Sequence, residues 1–376
     1  MIDAIYLDYN ATTPIDPIVA EAMLPFLSGV YGNPSSSHVF GIAARQAVES
    51  ARDQVAEMLG SESEEIIFTS GGTEANNLAI RGFAFANKLK GNHIITSAIE
   101  HPAVLEVCEY LSRTGFDLTV LPVDPLGRIQ IADLEAAIRD DTILISIMHA
   151  NNEVGTIHPI QEITQIAHSH NIAVHSDAAQ SIGKIPVSTE SLGVDLLSIA
   201  GHKLYAPKGI GALYVRKGIV LEKQTYGANH ERDLRPGTEN VLGIVGLGAA
   251  CELTSRNLHE YAEHYSAMRD LLEESLKSEK LQIKINGDKA HRLPNTSSIG
   301  FKDERANEIV EKLKHIAVSA GAACHAENIS ISHVLRAMQV PEEYAQGTIR
   351  FSTGRQTKSS DIQYAVDQII QVVSIN

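Results

Sequence analysis

The stretch Leu196-Leu197-Ser198-Ile199-Ala200-Gly201-His202-Lys203 is an apolar strand pattern that leads directly into a loop with a histidine and a lysine. A second such pattern, Val174-His175-Ser176-Asp177, ends in a carboxylate 26 residues before the lysine. Because ligands of open α/β sheets gather at the carboxyl ends of the strands, Asp177 and Lys203 are candidates to face one ligand. Taken singly, each has an ordinary explanation: a helix N-cap for the aspartate and a solvated surface position for the lysine.

Strand and helix patterns alternate on both sides of this pair. Short apolar runs typical of buried strands recur seven times, at 65–69, 93–96, 118–121, 143–147, 172–176, 194–198 and 211–215. Helical patterns with apolar stripes separate most of them, at 74–88, 102–113, 131–139 and 160–169. Strands joined through helices predict an α/β fold with a mainly parallel sheet that helices cover on both faces.

The pattern changes after about residue 238. A long helical stretch covers 240–277, and shorter patterns follow it, with strands at 281–285, 296–301 and 348–352 and helices at 305–313 and 359–373. We predict a large ligand-binding domain over 16–260 and a smaller α+β domain formed by 1–15 and 261–376. The boundary falls inside the long helix.

Composition and charge argue against several classes of function. The 376 residues carry 31 basic and 46 acidic side chains, a net charge of −15, which disfavours direct binding to nucleic acid or to a membrane surface. No apolar run approaches the roughly 20 residues that span a bilayer, and the first residues show no signal-peptide pattern. The three cysteines, Cys108, Cys251 and Cys324, are too few for a disulfide framework and favour a cytoplasmic location.

The segment Thr69-Ser70-Gly71-Gly72-Thr73-Glu74 lies between a predicted strand and a predicted helix. Glycines let the backbone approach an anion and a helix N-terminus binds it, so the segment is a candidate phosphate site. An ordinary tight turn with an N-cap explains the same residues, and the Gly-Lys-Ser/Thr of a P-loop is absent. A phosphate site, a carboxylate for a pyridinium nitrogen and a lysine for a Schiff base are together what pyridoxal 5′-phosphate (PLP) requires, and we predict this cofactor.

Cys324 differs from the other two cysteines in its surroundings. Cys108 and Cys251 lie on apolar faces of predicted helices, where a cysteine is an inert buried residue. The segment Ser319-Ala320-Gly321-Ala322-Ala323-Cys324-His325-Ala326 is instead predicted to be a loop of small residues, which bury a thiol poorly and let it move. We expect a reactive thiol at Cys324. Because the sequence has no HExxH or CxxC motif, we expect no dedicated metal site.

A series of ordered motifs then indicates a family. The motifs are Tyr6-Leu7-Asp8-Tyr9-Asn10-Ala11-Thr12-Thr13-Pro14, Gly32-Asn33-Pro34-Ser35-Ser36, Ile99-Glu100-His101, His149-Ala150-Asn151-Asn152-Glu153, the Asp177 and Lys203 segments, Arg235-Pro236-Gly237-Thr238, Cys324 and Ile349-Arg350-Phe351-Ser352. In these residues, nearly from end to end, the chain resembles the cysteine desulfurases of the PLP-dependent class V aminotransferase group. The resemblance implies the type I fold of PLP enzymes, in which helices sandwich a mainly parallel seven-stranded sheet and a smaller α+β C-terminal domain follows.

The resemblance also implies a role for each matching residue. The catalytic residues would be Lys203, which bonds the cofactor, His101, which stacks on it and moves protons, and Cys324. The other cofactor contacts would be Asp177 at the ring nitrogen, Asn152 and Gln180 at the ring oxygen and its surroundings, Gly72, Thr73 and His202 at the phosphate, and Thr238 reaching the phosphate of the partner subunit in a homodimer. Substrate would bind through Asn33, Asn152 and Arg350, the last as a bidentate clamp for a carboxylate.

The implied activity is the conversion of L-cysteine to L-alanine. Its sulfur would pass to Cys324 as a persulfide and then to an acceptor protein that serves iron-sulfur clusters, thio-cofactors or nucleic-acid thiolation, with Cys324 also a transient cluster ligand. Two departures from the family pattern stand out: Ala200 replaces a phosphate-binding serine, and 227–231 replaces a more glycine-rich segment. Segments 235–240 and 321–325 also resemble selenocysteine lyases. That activity, a plain class V aminotransferase and a catalytically silent sulfur-transfer adaptor are the alternatives.

Overall fold

A computed structural model of the chain describes residues 4–320, 322–325 and 328–373, and over 322–325 and 328–330 it describes the backbone alone. Within these ranges the strands are β1 (Ile5–Tyr6), β2 (Ile66–Thr69), β3 (His93–Ser97), β4 (Asp117–Leu121), β5 (Thr142–Ser146), β6 (Ala173–Asp177), β7 (Leu196–Ala200), β8 (Gly211–Val215), β9 (Ile283–Asn286), β10 (Thr296–Phe301), β11 (Ile316–Ala317), β12 (Ser319–Ala320), β13 (Ala322–His325), β14 (Asn328–Ile331) and β15 (Thr348–Ser352). The helices are α1 (Pro17–Met23), α2 (Pro25–Ser28), α3 (Val39–Leu59), α4 (Gly72–Asn87), α5 (Pro102–Ser112), α6 (Ile131–Ala137), α7 (Ile160–Ser169), α8 (Thr189–Leu192), α9 (Val241–Ser278), α10 (Ala306–Lys312), α11 (His333–Ala337), α12 (Glu342–Ala345) and α13 (Ser359–Val373).

The central sheet has seven strands in the spatial order β2-β8-β7-β6-β5-β3-β4. All neighbours are parallel except at β8, which is antiparallel to β2 and to β7. Successive side chains of a strand point to opposite faces. Leu196 accordingly packs with α4 and α5 on one face, whereas Leu197 packs with α3, α7 and the start of α9 on the other. The predicted α/β fold with a mainly parallel seven-stranded sheet is confirmed.

A second, smaller sheet follows the long helix. Its order is β12-β15-β10-β9, with antiparallel pairs throughout. Its core combines strand residues such as Ile299 and Phe351 with Leu272 and Leu276 from the last turns of α9, and with residues of α10 and α13. Helix α9 therefore contributes to both cores. The domain boundary near residue 260 lies inside α9 and stays a prediction.

The structure corrects the predicted loop around Cys324. Ser319–Ala320 is β12, and Ala322–His325 pairs with Asn328–Ile331 as an antiparallel hairpin in which Cys324 is opposite Ile329. The prediction was wrong because it considered the small residues alone. Isoleucines at 329 and 331 have high strand propensity, and a run of alanines accepts the pairing that they impose.

Two further observations concern the helices. Gly60 is the C-cap of α3 and has the left-handed conformation, with φ +63°. Over the described ranges, no helix combines the length and the apolar character needed to cross a bilayer.

Candidate active site

The carboxyl ends of β6 and β7 and the N-terminus of α4 surround a cavity of about 400 Å³. That size is within the range of small-molecule sites. Nine of the predicted site residues line this cavity: Gly72, Thr73, His101, Asn152, Asp177, Gln180, His202, Lys203 and Arg350. The geometry thus brings together side chains from both parts of the chain.

Lys203 ends the single turn that follows β7. Its Nζ donates hydrogen bonds to the carbonyl oxygens of Asn10 and Ala11, the latter at 2.8 Å. Burial, and then the charge of Arg350, lowers the pKa of Lys203 to about 8. About a tenth of the amine is therefore unprotonated at pH 7, far more than for an ordinary lysine, and this is the state that a nucleophile or a base needs.

Asp177 is the last residue of β6 and is 7% exposed. Its carboxylate accepts hydrogen bonds from Asn76 Nδ2 at 2.7 Å and from the Ala179 amide at 2.9 Å. These bonds fix the carboxylate at the cavity wall, in an orientation set before any ligand binds.

The N-terminus of α4 forms another part of the wall. Helix α4 begins at Gly72, and its N-cap, Gly71, provides no side-chain hydrogen bond, so the first N–H groups of the helix are left uncapped. A Cβ on Gly72 would lie only 3.3 Å from the Cβ of Ala200, which also lines the cavity. This backbone is therefore open to an anion because position 72 has no side chain.

His202 adds a neutral imidazole to the same region. Its Nδ1 lies 3.1 Å from Thr12 Oγ1. Burial, reinforced by the charges of nearby lysines, lowers the pKa of His202 to about 4. The ring is therefore uncharged at neutral pH and acts as a hydrogen-bonding group.

His101 caps the N-terminus of α5. Its Nδ1 accepts a hydrogen bond from the Ala103 amide at 3.1 Å. Although His101 is exposed, desolvation by the surrounding protein is the largest of the effects that lower its pKa. Because Nδ1 is an acceptor, the neutral ring has its proton on Nε2.

Arg350 extends from β15 of the smaller sheet. Its guanidinium donates to Asp8 Oδ1 at 2.8 Å, to Ser319 Oγ at 3.0 Å and to the Asn152 carbonyl at 3.0 Å. Its buried Nε–H has no hydrogen-bond partner among the described residues. These bonds fix Arg350 in place, and its Nε–H group remains free to donate a hydrogen bond to an anion.

The remaining predicted site residues are not among those that line the cavity. Asn33 and Thr238 are exposed, and the Asn33 side chain accepts a hydrogen bond from the Ser35 amide at 2.9 Å. The side chain of Cys324 lies outside the described part of the structure. Cys108 and Cys251 are buried, and burial raises the pKa of each thiol to about 12, as expected of inert cysteines.

Three residues had no role in the sequence prediction: Asn10 and Asn76, which line the cavity, and Lys184, which bonds the cavity residues Asn10 and Gln180. Asn76 follows Gly72 by four residues on α4, and Lys184 follows Gln180 by four, so spacing from a predicted residue was the available signal. Asn10 belongs to a quoted motif, but its contacts with Gln180, Lys184 and Lys203 join distant segments.

The aminotransferase class-V family model matches residues 5–365. The chain belongs to the class-V aminotransferase family. A relative from Dictyoglomus turgidum, named cysteine desulfurase IscS, is 48% identical over 371 residues, which cover 98% of this chain and 94% of that protein.

Solved structures of the family agree with this assignment. A NifS-like protein is 40% identical, with a TM-score of 0.94 and coverage of 99% of this chain and 100% of that one. SspA, solved in complex with cysteine, is 38% identical, with a TM-score of 0.82 and coverage of 93% of this chain and 98% of that one.

In the described parts of the present chain, no three histidine, cysteine or carboxylate side chains converge as metal ligands would.

Proposed function

We propose that this chain is a PLP-dependent cysteine desulfurase that converts L-cysteine to L-alanine and transfers the sulfur to Cys324. The observation that carries the proposal is one cavity that contains Lys203, with its lowered pKa, a fixed Asp177 carboxylate and the Arg350 guanidinium. The relatives named cysteine desulfurase over nearly their full length support it.

The residues present fit PLP. The uncapped N-terminus of α4 at Gly72 and Thr73, with His202, suits the phosphate. The Asp177 carboxylate suits a protonated ring nitrogen, and Lys203 suits the covalent bond to the cofactor. When bound, PLP supplies an electron sink for the pair left at Cα of an amino acid.

We assign the orientation of the substrate, through its carboxylate, to Arg350. A guanidinium binds a carboxylate through two parallel hydrogen bonds, and the free Nε–H of Arg350 is available for one of them. Because Asp8 and the Asn152 carbonyl already hold the guanidinium, little conformational entropy of the arginine side chain is lost when the carboxylate binds. In this proposal Asn152 also contributes to the substrate site, and Asn33 stays a prediction.

We assign proton transfer to Lys203 and His101. The unprotonated Lys203 amine would take the proton from the substrate Cα. The neutral His101 ring, with its proton on Nε2, then provides a second proton-transfer group at the cavity wall. The pKa of each group is lowered, which favours the unprotonated form that accepts a proton.

Sulfur transfer needs a thiolate, which we assign to Cys324. The thiolate attacks the substrate sulfur, the Cβ–S bond breaks, and a proton takes the place of sulfur on Cβ. L-cysteine and a protein thiol thereby give L-alanine and a protein persulfide, with no external oxidant or reductant. An acceptor protein then takes the outer sulfur, and an iron-sulfur cluster is one destination.

A homodimer with shared sites is part of the proposal. Thr238 is exposed and is not among the residues that line the cavity of its own chain, which suits a residue that completes the phosphate site of a second copy. Sedimentation of the purified chain tests this directly. A cytoplasmic location stays a prediction from the cysteine content.

The experiment that tests the proposed function supplies the PLP-loaded protein with L-cysteine and, separately, with L-selenocysteine. Alanine, sulfide and selenide are then quantified in the presence of a reducing thiol. We expect alanine and sulfide from L-cysteine in equal amounts, and neither from Lys203→Ala. Alanine from selenocysteine alone would assign a selenocysteine lyase, and a keto acid from either substrate would assign an aminotransferase.

A further inference from the structure

Lys184 is a buried lysine behind the cavity wall. It lies in the segment after β6, four residues beyond Gln180, and is 4% exposed. Lysine is almost never this deeply buried without a paired charge, because removing an ammonium from water is costly. The mechanism proposed above makes no use of it.

The partners of Lys184 are two amide oxygens. Its Nζ donates to Gln180 Oε1 at 2.6 Å and to Asn10 Oδ1 at 3.2 Å. Over the described residues its amine makes no ion pair with a carboxylate. Burial, together with the charges of Lys203 and Arg350, lowers the pKa of Lys184 well below its ordinary value. The charged amine has three N–H donors and no acceptor, so it bonds the oxygens of these two amides and not their nitrogens.

The contact with Lys184 favours one orientation of the Gln180 amide. A lysine amine bonded in this way holds the amide oxygen of Gln180 on the Lys184 side. Gln180 Nε2 is then directed the other way and donates to the Asn10 carbonyl at 3.0 Å. An amide nitrogen has two N–H groups, so the second one is left for the cavity that Gln180 lines.

The same contact reaches Lys203. The carbonyl oxygen of Asn10 accepts from Gln180 Nε2 and also from Lys203 Nζ. If the Gln180 amide turned over, its oxygen would face the Asn10 carbonyl oxygen, and the two would repel each other. Lys184 therefore stabilises one arrangement of two groups at the cavity.

We propose that Lys184 is a positioning residue that locks the Gln180 side-chain amide so that Gln180 presents an N–H donor, and not a carbonyl oxygen, to the ring oxygen of PLP. The inference rests on the proposed function, because it identifies the ligand group as the acidic ring oxygen of that cofactor. An acidic oxygen requires a donor, and an unlocked amide offers a donor in only one of its two orientations.

The test compares Lys184→Met with the wild-type protein, both loaded with PLP. The proton that the bound cofactor shares between its ring oxygen and the lysine nitrogen is released in a pH titration of the visible absorption band. An N–H donor on the ring oxygen competes for that proton. We expect Lys184→Met to raise the midpoint of the titration by about half a unit or more, and to weaken PLP binding to the apo-protein about fivefold in equilibrium dialysis.

A purely structural role for Lys184 would lower the melting temperature and leave the midpoint in place. Lys90→Met is the matched control, because Lys90 is exposed and does not line this cavity. Combining Lys184→Met with Gln180→Leu separates direct from indirect action: the proposal predicts no further shift, since no amide remains to be oriented. Should Lys184→Met not fold, Lys184→Gln replaces it, because its shorter side chain does not reach Gln180 in the same way.

An unchanged midpoint and affinity in folded Lys184→Met would overturn the proposal, as would an equal shift with and without Gln180. If the wild-type protein bound no PLP at all, the proposed function itself would fail.

Discussion

Asp177→Asn removes one negative charge from the cavity and keeps the shape of the side chain. The carboxylate is 7% exposed, so little water screens it. Opposite unit charges about 4 Å apart interact by about 4 kcal/mol at an effective dielectric constant of about 20. At about 1.4 kcal/mol for each factor of ten, losing this interaction with a protonated ring nitrogen is expected to slow the removal of the Cα proton by about a thousandfold.

The assay should isolate that proton step. L-Alanine has no leaving group on Cβ, so the exchange of its Cα proton for deuterium reports proton removal alone, and proton NMR measures the exchange rate per PLP-loaded site. The variant also leaves one of two donors, Asn76 Nδ2 or the Ala179 amide, facing an amide nitrogen. This mismatch is expected to lower the free energy of unfolding by about 1–3 kcal/mol.

Asp195→Asn is the matched control for stability. Asp195 is 6% exposed and accepts hydrogen bonds from His168 Nε2 at 2.9 Å and from the Val174 amide at 2.8 Å, but it lies at the opposite end of the sheet, before β7. Its variant should lose similar stability and keep the exchange rate. Exchange within about threefold of wild type in fully loaded Asp177→Asn would refute the role given to the carboxylate.

Lys203→Ala is expected to lose the covalent link to PLP that borohydride reduction fixes, and the intact mass of the reduced protein checks this; a link that persists would assign another lysine. Ala200→Ser is expected to bind PLP about tenfold more tightly, because a hydroxyl beside Gly72 adds a hydrogen bond to a charged group. Equilibrium dialysis measures the affinity, and an unchanged value would mean that the hydroxyl does not reach the phosphate. Burial raises the pKa of Glu100 to about 8 in the folded chain, from 4.5 for a free carboxyl group, so its contribution to stability is lost as the pH rises through this window. Glu100→Gln should therefore flatten the fall in unfolding free energy between about pH 5 and about pH 8, measured by urea denaturation, and an equal fall in both proteins would contradict this.

The sequence was sufficient to predict the central sheet because six of its seven strands are almost entirely buried, and only β4 at one edge is largely accessible. Runs such as Leu196–Ala200 and Thr142–Ser146 are almost continuously apolar, and this pattern is what a parallel sheet between two helical layers produces. Asp177 ends β6 and Lys203 follows β7, so the strand patterns led to two residues that line one cavity at the edge of the sheet where ligands gather.

Contacts between distant segments could not be predicted in this way. Asn76 bonds Asp177, 101 residues away along the chain, and Lys184 bonds Asn10, 174 residues away, so these partners become neighbours only after folding. The hairpin around Cys324 was missed for a related reason. Its pairing depends on the β-branched isoleucines at 329 and 331, which lie outside the small-residue segment 319–326 on which the loop prediction was based.

The most direct test of the account follows the sulfur atom. The PLP-loaded protein is mixed with L-cysteine without any other thiol, digested, and analysed by mass spectrometry beside an assay for alanine. We expect one alanine per site and a Cys324 peptide that is heavier by one sulfur atom. Cys324→Ala should form no alanine and no persulfide, and Cys108→Ala should behave as the wild-type protein. Alanine formed by Cys324→Ala at the wild-type rate, with no added sulfur on the wild-type peptide, would contradict it.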